Sequence, residues 1–469
     1  MEKVYLAFDL GASSGRLMAA AQEGDQLKLT EIHRFINSPV WMGERLYWDI
    51  PYLLREMKEG LKKVAEQGLT PASIGIDTWG VDYGYVAEDG SLLGLPFCYR
   101  DPKNQPAMEG WDADPDMPSF ETIYQITGLQ KINFNTAYQI YYDVKNRPEV
   151  VKAAKHLLFL PDLLTYFLTG EVACEYTIAS TSMLLDARTR NWSAEMLKAL
   201  QLPEGLLPPV RMPGQLAGTL SLAVQQETGL GAVPVALVGG HDTASAVAGT
   251  PFTGKGHAFI SSGTWSLLGL ECEEPIISPA SYQANFTNEG GVCGRIRFLK
   301  NISGLWIIQQ LRKEWNTDFG SISREAEAAL GCPYTVDPDD ASFTAPISME
   351  AAVRSYCLEH GQGEPKTRGE IAAAVYQGLT SKEHASIAEM EDITGQEVPA
   401  IHMVGGGIQD TLLCRLAAEK TGKPVLTGPI EAAALGNVLL QQMALGELSS
   451  LEEGRQNIGR AYPLTQYNA

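Results

Sequence analysis

Two distant stretches of this chain follow one plan: an apolar strand, a glycine–serine turn and a second strand. In the first, Val4–Phe8 and Leu17–Ala20 are joined through Gly11-Ala-Ser-Ser-Gly15. In the second, His257–Ser261 and Thr264–Leu270 are joined at Ser262-Gly263. Glycine suits such turns because it lacks the Cβ that restricts other residues. A hairpin opening each of two long stretches marks an internal structural repeat. It predicts two domains, 1–248 and 249–469, with the boundary inside 245–255. The length of 469 residues agrees, since domains of roughly 100–200 residues each bury their own core. No low-complexity tract or long linker parts the halves, so they are expected to face each other across a cleft, where ligands are favoured.

Strand and helix signals alternate along the chain, the pattern of an α/β architecture. A helix is expected after Asp49, which can cap it, with Pro51 in its first turn. Leu53, Leu54, Met57, Leu61 and Val64 recur at helical spacing before Gly68 stops it. Strands are expected at Ser73–Asp77, Asp82–Ala87, Val233–Val238 and His402–Val404. A small-residue helix is expected from about Thr243, and two more at about 409–420 and 431–445.

Thirty-six Lys and Arg against 56 Asp and Glu leave a net charge of −20. That balance argues against nucleic acid and anionic membranes as partners, because both need a basic surface. Val4–Leu10 is too short for a membrane span or a signal sequence and is broken by Asp9, so a cytoplasmic protein is expected. The seven cysteines are scattered without a C-x-x-C pair, which predicts reduced thiols rather than a metal cage or a disulfide framework.

Several short motifs bear on chemistry. Gly249-Thr-Pro-Phe-Thr-Gly-Lys-Gly256 nearly matches a P-loop, but Gly256 offers no hydroxyl for Mg²⁺ and a strand follows where the phosphate-holding helix should begin. A glycine-rich linker is the better reading. The hairpin Asp9-Leu-Gly-Ala-Ser-Ser-Gly-Arg16 suits phosphate better: turn amides form an anion nest, Ser13 and Ser14 add hydroxyls, and Arg16 adds fixed charge. Asp9 at the strand end can hold Mg²⁺ directly or through water. The second hairpin, Ser261–Trp265, would let two turns clasp a polyphosphate. Gly405-Gly406-Gly407 allows close approach of a flat ligand, or is only a turn. In Gly239-Gly-His-Asp-Thr243, Asp242 can cap the following helix, or serve as a base kept ionised by the helix N-terminus, or both. His402, inside an apolar strand, reads as a core histidine.

These segments occur in the order found in sugar kinases of the FGGY family, within the actin-like, Hsp70-like ATPase superfamily. The chain resembles that family from about residue 4 to about 445, through D-L-G-A-S-S-G-R, I-G-I-D-T-W-G-V-D (74–82), Tyr99-Arg-Asp101, G-H-D-T-A-S-A-V, S-S-G-T-W-S-L, T-N-E-G-G (287–291) and L-K-N (299–301) before Gly304-Leu-Trp306. The resemblance implies two actin-like, ribonuclease H-like α/β domains. It also implies transfer of the γ-phosphoryl group of MgATP to the 1-hydroxyl of a ketose. On that resemblance Asp242 is the proton acceptor, and Gly80, His241, Asp242, Thr243 and Asn301 bind the sugar. Ala12, Ser13, Ser14, Gly15, Arg16, Thr264, Gln309 and Gly406 bind ATP, and Asp9 binds Mg²⁺. An actin-like or chaperone-like ATPase without a sugar site is the competing reading; His241–Thr243, Trp79-Gly80 and Asn301 form a polyol-binding set that it would not need. The oligomeric state is left open.

Overall fold

A computed structural model of the chain describes residues 3–23, 26–344 and 346–468. The chain divides into two compact units. The first comprises Met1–Gly249, Cys272–Phe298 and Ala433–Ala461, and the second Thr250–Glu271, Leu299–Ala432 and Tyr462–Ala469.

The first unit is built on a six-stranded sheet. Its strands are β1 (Lys3–Leu10), β2 (Ser14–Glu23), β3 (Gln26–Ile36), β4 (Thr70–Thr78), β5 (Gln215–Thr219) and β6 (Pro234–Leu237). They lie in the order β5-β6-β4-β1-β2-β3. β1 pairs antiparallel with β2 and parallel with β4, and β3 extends the expected hairpin by a further antiparallel strand. β1 is buried on both faces, which is why its sequence is a continuous apolar run rather than an alternating one. The helix Ile50–Glu66 starts as its sequence signals require: Asp49 accepts a hydrogen bond from the Tyr52 amide, and Pro51 fills the first turn. Leu53, Met57, Leu61 and Val64 enter the core with Leu6, Phe8 and Leu17. Each such side chain contributes about 1.5–3 kcal/mol on burial. The chain leaves the helix at Gly68, whose φ of 67° is costly for residues with a Cβ.

Residues of the C-terminal helix Ala432–Ala444 are stitched into this sheet. Gln441 accepts from the Ser73 hydroxyl and donates to the Leu6 carbonyl. Gly436 lets that helix lie against Asp242–Ala248, since a Cβ there would come within 1.8 Å of the Ser245 carbonyl.

The second unit contains β7 (Ala258–Ser262), β8 (Trp265–Cys272), β9 (Ile401–Val404), β10 (Val425–Thr427) and β11 (Thr465–Tyr467), in the order β8-β7-β9-β10-β11. β7 pairs antiparallel with β8 and parallel with β9, repeating the relation of β1 to β2 and β4. The long helix Arg368–Thr394 packs in this unit, opened by a Thr367/Glu370 capping box and closed by Gly395. His402 in β9 is fully buried, its Nε2 meeting the Thr253 amide and hydroxyl and the His257 ring, as expected of a core histidine. None of the seven cysteines is joined in a disulfide. No helix among the described residues is long and apolar enough to cross a membrane.

Candidate active site

The first glycine–serine turn is tied down by Asn37. The Gly11 amide donates to the Ser14 carbonyl, while Asn37 donates from its side chain to Gly11 and from its backbone to Ser13. Gly15 is required by space, because a Cβ there would lie 2.3 Å from the Phe35 ring. Directly across the hairpin, Arg16 forms an ion pair with Asp9.

In the parallel register of β1 with β4, Asp9 lies beside Asp77. Asp77 is fully buried, and its Oδ2 accepts from Asn437 at 2.6 Å. Its Oδ1 has no hydrogen-bond partner among the described residues. Burial first, and the charge of Asp9 next, raise its carboxyl well above the usual Asp range.

The end of β4 leads to the Gly239–Thr243 loop: the Thr78 amide donates to the Gly240 carbonyl. A buried carboxylate, Glu175, holds this loop from the other side. Its Oε2 accepts from the amides of Gly240 and Ile178, each at 3.0 Å, and from the Thr177 hydroxyl at 2.6 Å. The same hydroxyl accepts the His241 amide at 3.3 Å. Burial pushes Glu175 up to about 7 against the pull of these donors.

Asp242 differs from expectation in its place in the helix. The N-cap is His241, whose backbone is still extended, so Asp242 is the first residue inside the helix Asp242–Ala248. Its Oδ1 folds back on the amide of Thr243 at 2.6 Å and on the Thr243 hydroxyl at 3.2 Å. Its carboxyl is raised above the usual value, with burial the largest cause and His241 opposing it. This is the desolvation of a recessed position rather than of a core one, because 35% of the side chain remains exposed.

Gly80 comes next to this loop. A Cβ at Gly80 would sit 3.3 Å from His241 Nε2. The following residue, Val81, has a φ of 68°, an uncommon conformation for a β-branched side chain. It is held there by the Thr181 hydroxyl on its amide and the Thr136 hydroxyl on its carbonyl. Asp82 anchors the segment by accepting from Trp48, Trp79, Gln139 and the Tyr99 amide. Burial raises Asp82 to about 6.

In the second unit, the Thr264 hydroxyl donates to Gln309 Oε1 at 3.2 Å. Gly304 makes that possible. Its amide and that of Leu305 bond to the Thr264 and Gly263 carbonyls, and a Cβ at Gly304 would come within 2.6 Å of the Trp265 backbone. The helix Trp306–Trp315 therefore starts against the second turn and carries Gln309 back to it. In the triple glycine, a Cβ on Gly405 or Gly407 would strike Ser262 at 2.8 or 2.0 Å, whereas one on Gly406 would meet nothing within 4 Å. Two of the three glycines are thus explained by packing, and only Gly406 borders open space. Asn301 lies in the strand Ile296–Ser303.

Residues 4–249 match the N-terminal domain, and 258–445 the C-terminal domain, of the FGGY family of carbohydrate kinases. The chain belongs to that family. A rhamnulokinase of Bacteroides thetaiotaomicron is 41% identical over 469 residues, covering 100% of this chain and 96% of its own. One from Halalkalibacterium halodurans is 39% identical over 466 residues, 98% of either chain. Among solved structures, a ligand-bound xylulose kinase from Lactobacillus acidophilus aligns with a TM-score of 0.83 at 16% identity, over 99% of this chain and 94% of the other. Plasmodium falciparum glycerol kinase with ADP gives 0.78 at 15%, over 100% and 94%. These two bear out the actin-like α/β fold.

For an FGGY kinase, this first unit gathers Asp9, Arg16, Gly80, His241, Asp242 and Thr243 around the ends of β1 and β4 and the loop after β6. The second unit brings Thr264 to Gln309. Sequence reasoning missed Asp77, Asn437 and Glu175. Asp77 stands within a quoted motif, I-G-I-D-T, and a carboxylate inside an apolar run is the available signal. Asn437 and Glu175 carry none. Among the described residues no cluster of three His, Cys, Asp or Glu forms a metal cage. Mg²⁺ does not demand one, since it keeps several waters and takes one or two carboxylates with phosphate oxygens.

Proposed function

We propose that this FGGY kinase transfers the γ-phosphoryl group of MgATP to the 1-hydroxyl of L-rhamnulose, yielding L-rhamnulose 1-phosphate and ADP in L-rhamnose breakdown. The observation that carries the sugar's identity is the full-length similarity, at 37–41%, to rhamnulokinases of several bacteria. The geometry supports the chemistry. Asp242 is anchored through one carboxylate oxygen, stays partly open to solvent, and lies next to His241 and Gly80.

In this reading Gly80, His241, Thr243 and Asn301 hold the sugar while Asp242 orients the attacking hydroxyl and takes its proton as the new P–O bond forms. Phosphoryl transfer has a loose transition state, so positioning and charge neutralisation matter more than base strength. Ala12–Gly15, Arg16, Thr264, Gln309 and Gly406 are the residues assigned to ATP in this reading. Mg²⁺ fits Asp9 and Asp77: they are adjacent in register, and the buried Oδ1 of Asp77 lacks a partner among the described residues. When bound there, the ion supplies positive charge against the phosphates. The net charge of −20 suits a protein acting on small molecules rather than on nucleic acid or anionic membranes, and a cytoplasmic location is part of this reading.

The test is ADP release with MgATP and L-rhamnulose, L-fuculose, L-xylulose, L-ribulose, glycerol or no acceptor. Highest kcat/KM for L-rhamnulose is expected. A higher value for another sugar would replace the substrate, and acceptor-independent turnover would overturn the sugar-kinase reading of the site.

A further inference from the structure

Behind His241, on the side away from Asp242, lies a buried ion pair that the sugar-kinase roles above do not use. Arg297 is fully buried, and Glu289 has 6% of its surface exposed. Arg297 Nη2 is 3.1 Å from His241 Nδ1 and 3.1 Å from Glu289 Oε2. Glu289 Oε2 is itself 3.2 Å from the same Nδ1. Arg297 is fixed by donating from Nε to the Gly290 carbonyl at 3.0 Å, and the Gly290 amide in turn donates to the Ser180 hydroxyl.

A guanidinium has donors and no acceptor, and it does not lose its proton in proteins. Toward Nδ1 it can therefore only donate, which requires a lone pair there. A neutral imidazole with a lone pair on Nδ1 carries its proton on Nε2. Glu289 exerts the opposite demand, because a carboxylate at Nδ1 can only accept. Arg297 reconciles the two by pairing with Glu289 while donating to the ring, so the buried charge is compensated without a proton on Nδ1. On the far edge of the ring, Nε2 faces Asp242 Oδ1 at 3.5 Å and the space left by the missing side chain of Gly80.

We propose that Arg297 and Glu289 are positioning residues that hold His241 as the Nε2–H tautomer, so that the ring presents a donor beside the acceptor Asp242. A hydroxyl oxygen can use both at once, giving its proton toward Asp242 and receiving the N–H of His241. An oxygen without a proton can use only the second. The use of the pair for sugar binding rests on the function proposed above; the tautomer itself does not.

The experiment is ring ¹⁵N NMR of protein labelled at histidine, with the His241 signals among seven histidines identified by their loss in His241→Gln. The free wild type should show an unprotonated Nδ1 and a protonated Nε2 for His241. Arg297→Met should leave Nδ1 to Glu289 and move the proton onto Nδ1, and it should raise the sugar KM about tenfold, the size of one lost hydrogen bond, with the ATP KM unchanged. Arg297→Lys, still donor-only, should keep the wild-type pattern. A wild type protonated at Nδ1 overturns the proposal even if Arg297→Met does not fold. An unchanged tautomer in a folded Arg297→Met overturns it as well. The expected NMR pattern in a protein inactive on L-rhamnulose would sink the substrate and leave the tautomer standing.

Discussion

Asp9 and Asp77 lie side by side on neighbouring parallel strands, one paired with Arg16 and the other buried on Asn437. Two adjacent carboxylates in a desolvated place are costly when both are charged, and the charge of Asp9 raises the affinity of Asp77 for a proton or a cation. Replacing Asp77 by Asn keeps the shape and removes one charge. The half-saturating Mg²⁺ concentration for MgADP binding, read by calorimetry, should rise by roughly ten- to a hundredfold. Unchanged Mg²⁺ dependence would take Asp77 out of the ion's surroundings.

Asp242→Asn removes the proton acceptor while keeping a side chain that the Thr243 amide can hold. The expected loss is about 10²–10⁴-fold in kcat, in a protein that keeps a cooperative thermal transition. In the unmodified enzyme the sign of the pH effect follows from the raised carboxyl. Asp242 acts as its anion, so turnover should fall as pH drops through its pKa, and that acid limb should lie above the usual Asp value of 3.8. A rate that is flat down to pH 4 would contradict this assignment.

The triple glycine separates packing from binding. Gly407→Ala must push Ser262 aside and should destabilise the protein by about 1–3 kcal/mol with a lowered thermal midpoint. Gly406→Ala meets no neighbour, so the midpoint should stay while KM for ATP rises. If both variants behave alike, the distinction drawn from Ser262 is wrong.

Glu383, on the long helix of the second unit, is fully buried under Ser266, whose hydroxyl donates to it. Burial raises it from the usual 4.5 to about 7. Between these values the native state binds more protons than the unfolded one, so this group's contribution to stability falls as pH rises through the window. Glu383→Gln should therefore raise the thermal midpoint at pH 8, equivalent to at most about 3 kcal/mol, and the gain should shrink through the window and vanish below the usual value of 4.5. A gain of equal size at both values would rule out ionisation as its origin.

Local signals made much of the scaffold legible. The two hairpins, the Asp49 cap with its apolar spacing, and the strands before Gly239 and Gly405 follow from rules acting over a few residues. Finer detail went astray where tertiary contacts decide. Placing Asp242 at the N-cap is one residue late, because His241, extended where its amide meets Thr177, takes the capping position and the helix already begins at Asp242. The raised carboxyl of Asp242 is not legible locally either, because the helix N-terminus favours its charged form and the burial that opposes this is set by the tertiary fold.

The sequence by itself determined the repeated strand–turn–strand plan, the α/β class and the order of the glycine-rich and acidic motifs that mark a carbohydrate kinase. These rest on short-range sterics and on apolar patterning, which any stretch of chain carries within itself. Only the tertiary structure decided which buried polar groups meet: Asn437 with Asp77 across 360 positions, Arg297 with His241 across 56, and Glu175 with Gly240 across 65. Those pairings exist because a buried charge must find a partner wherever the fold brings one, and no local pattern records where that will be.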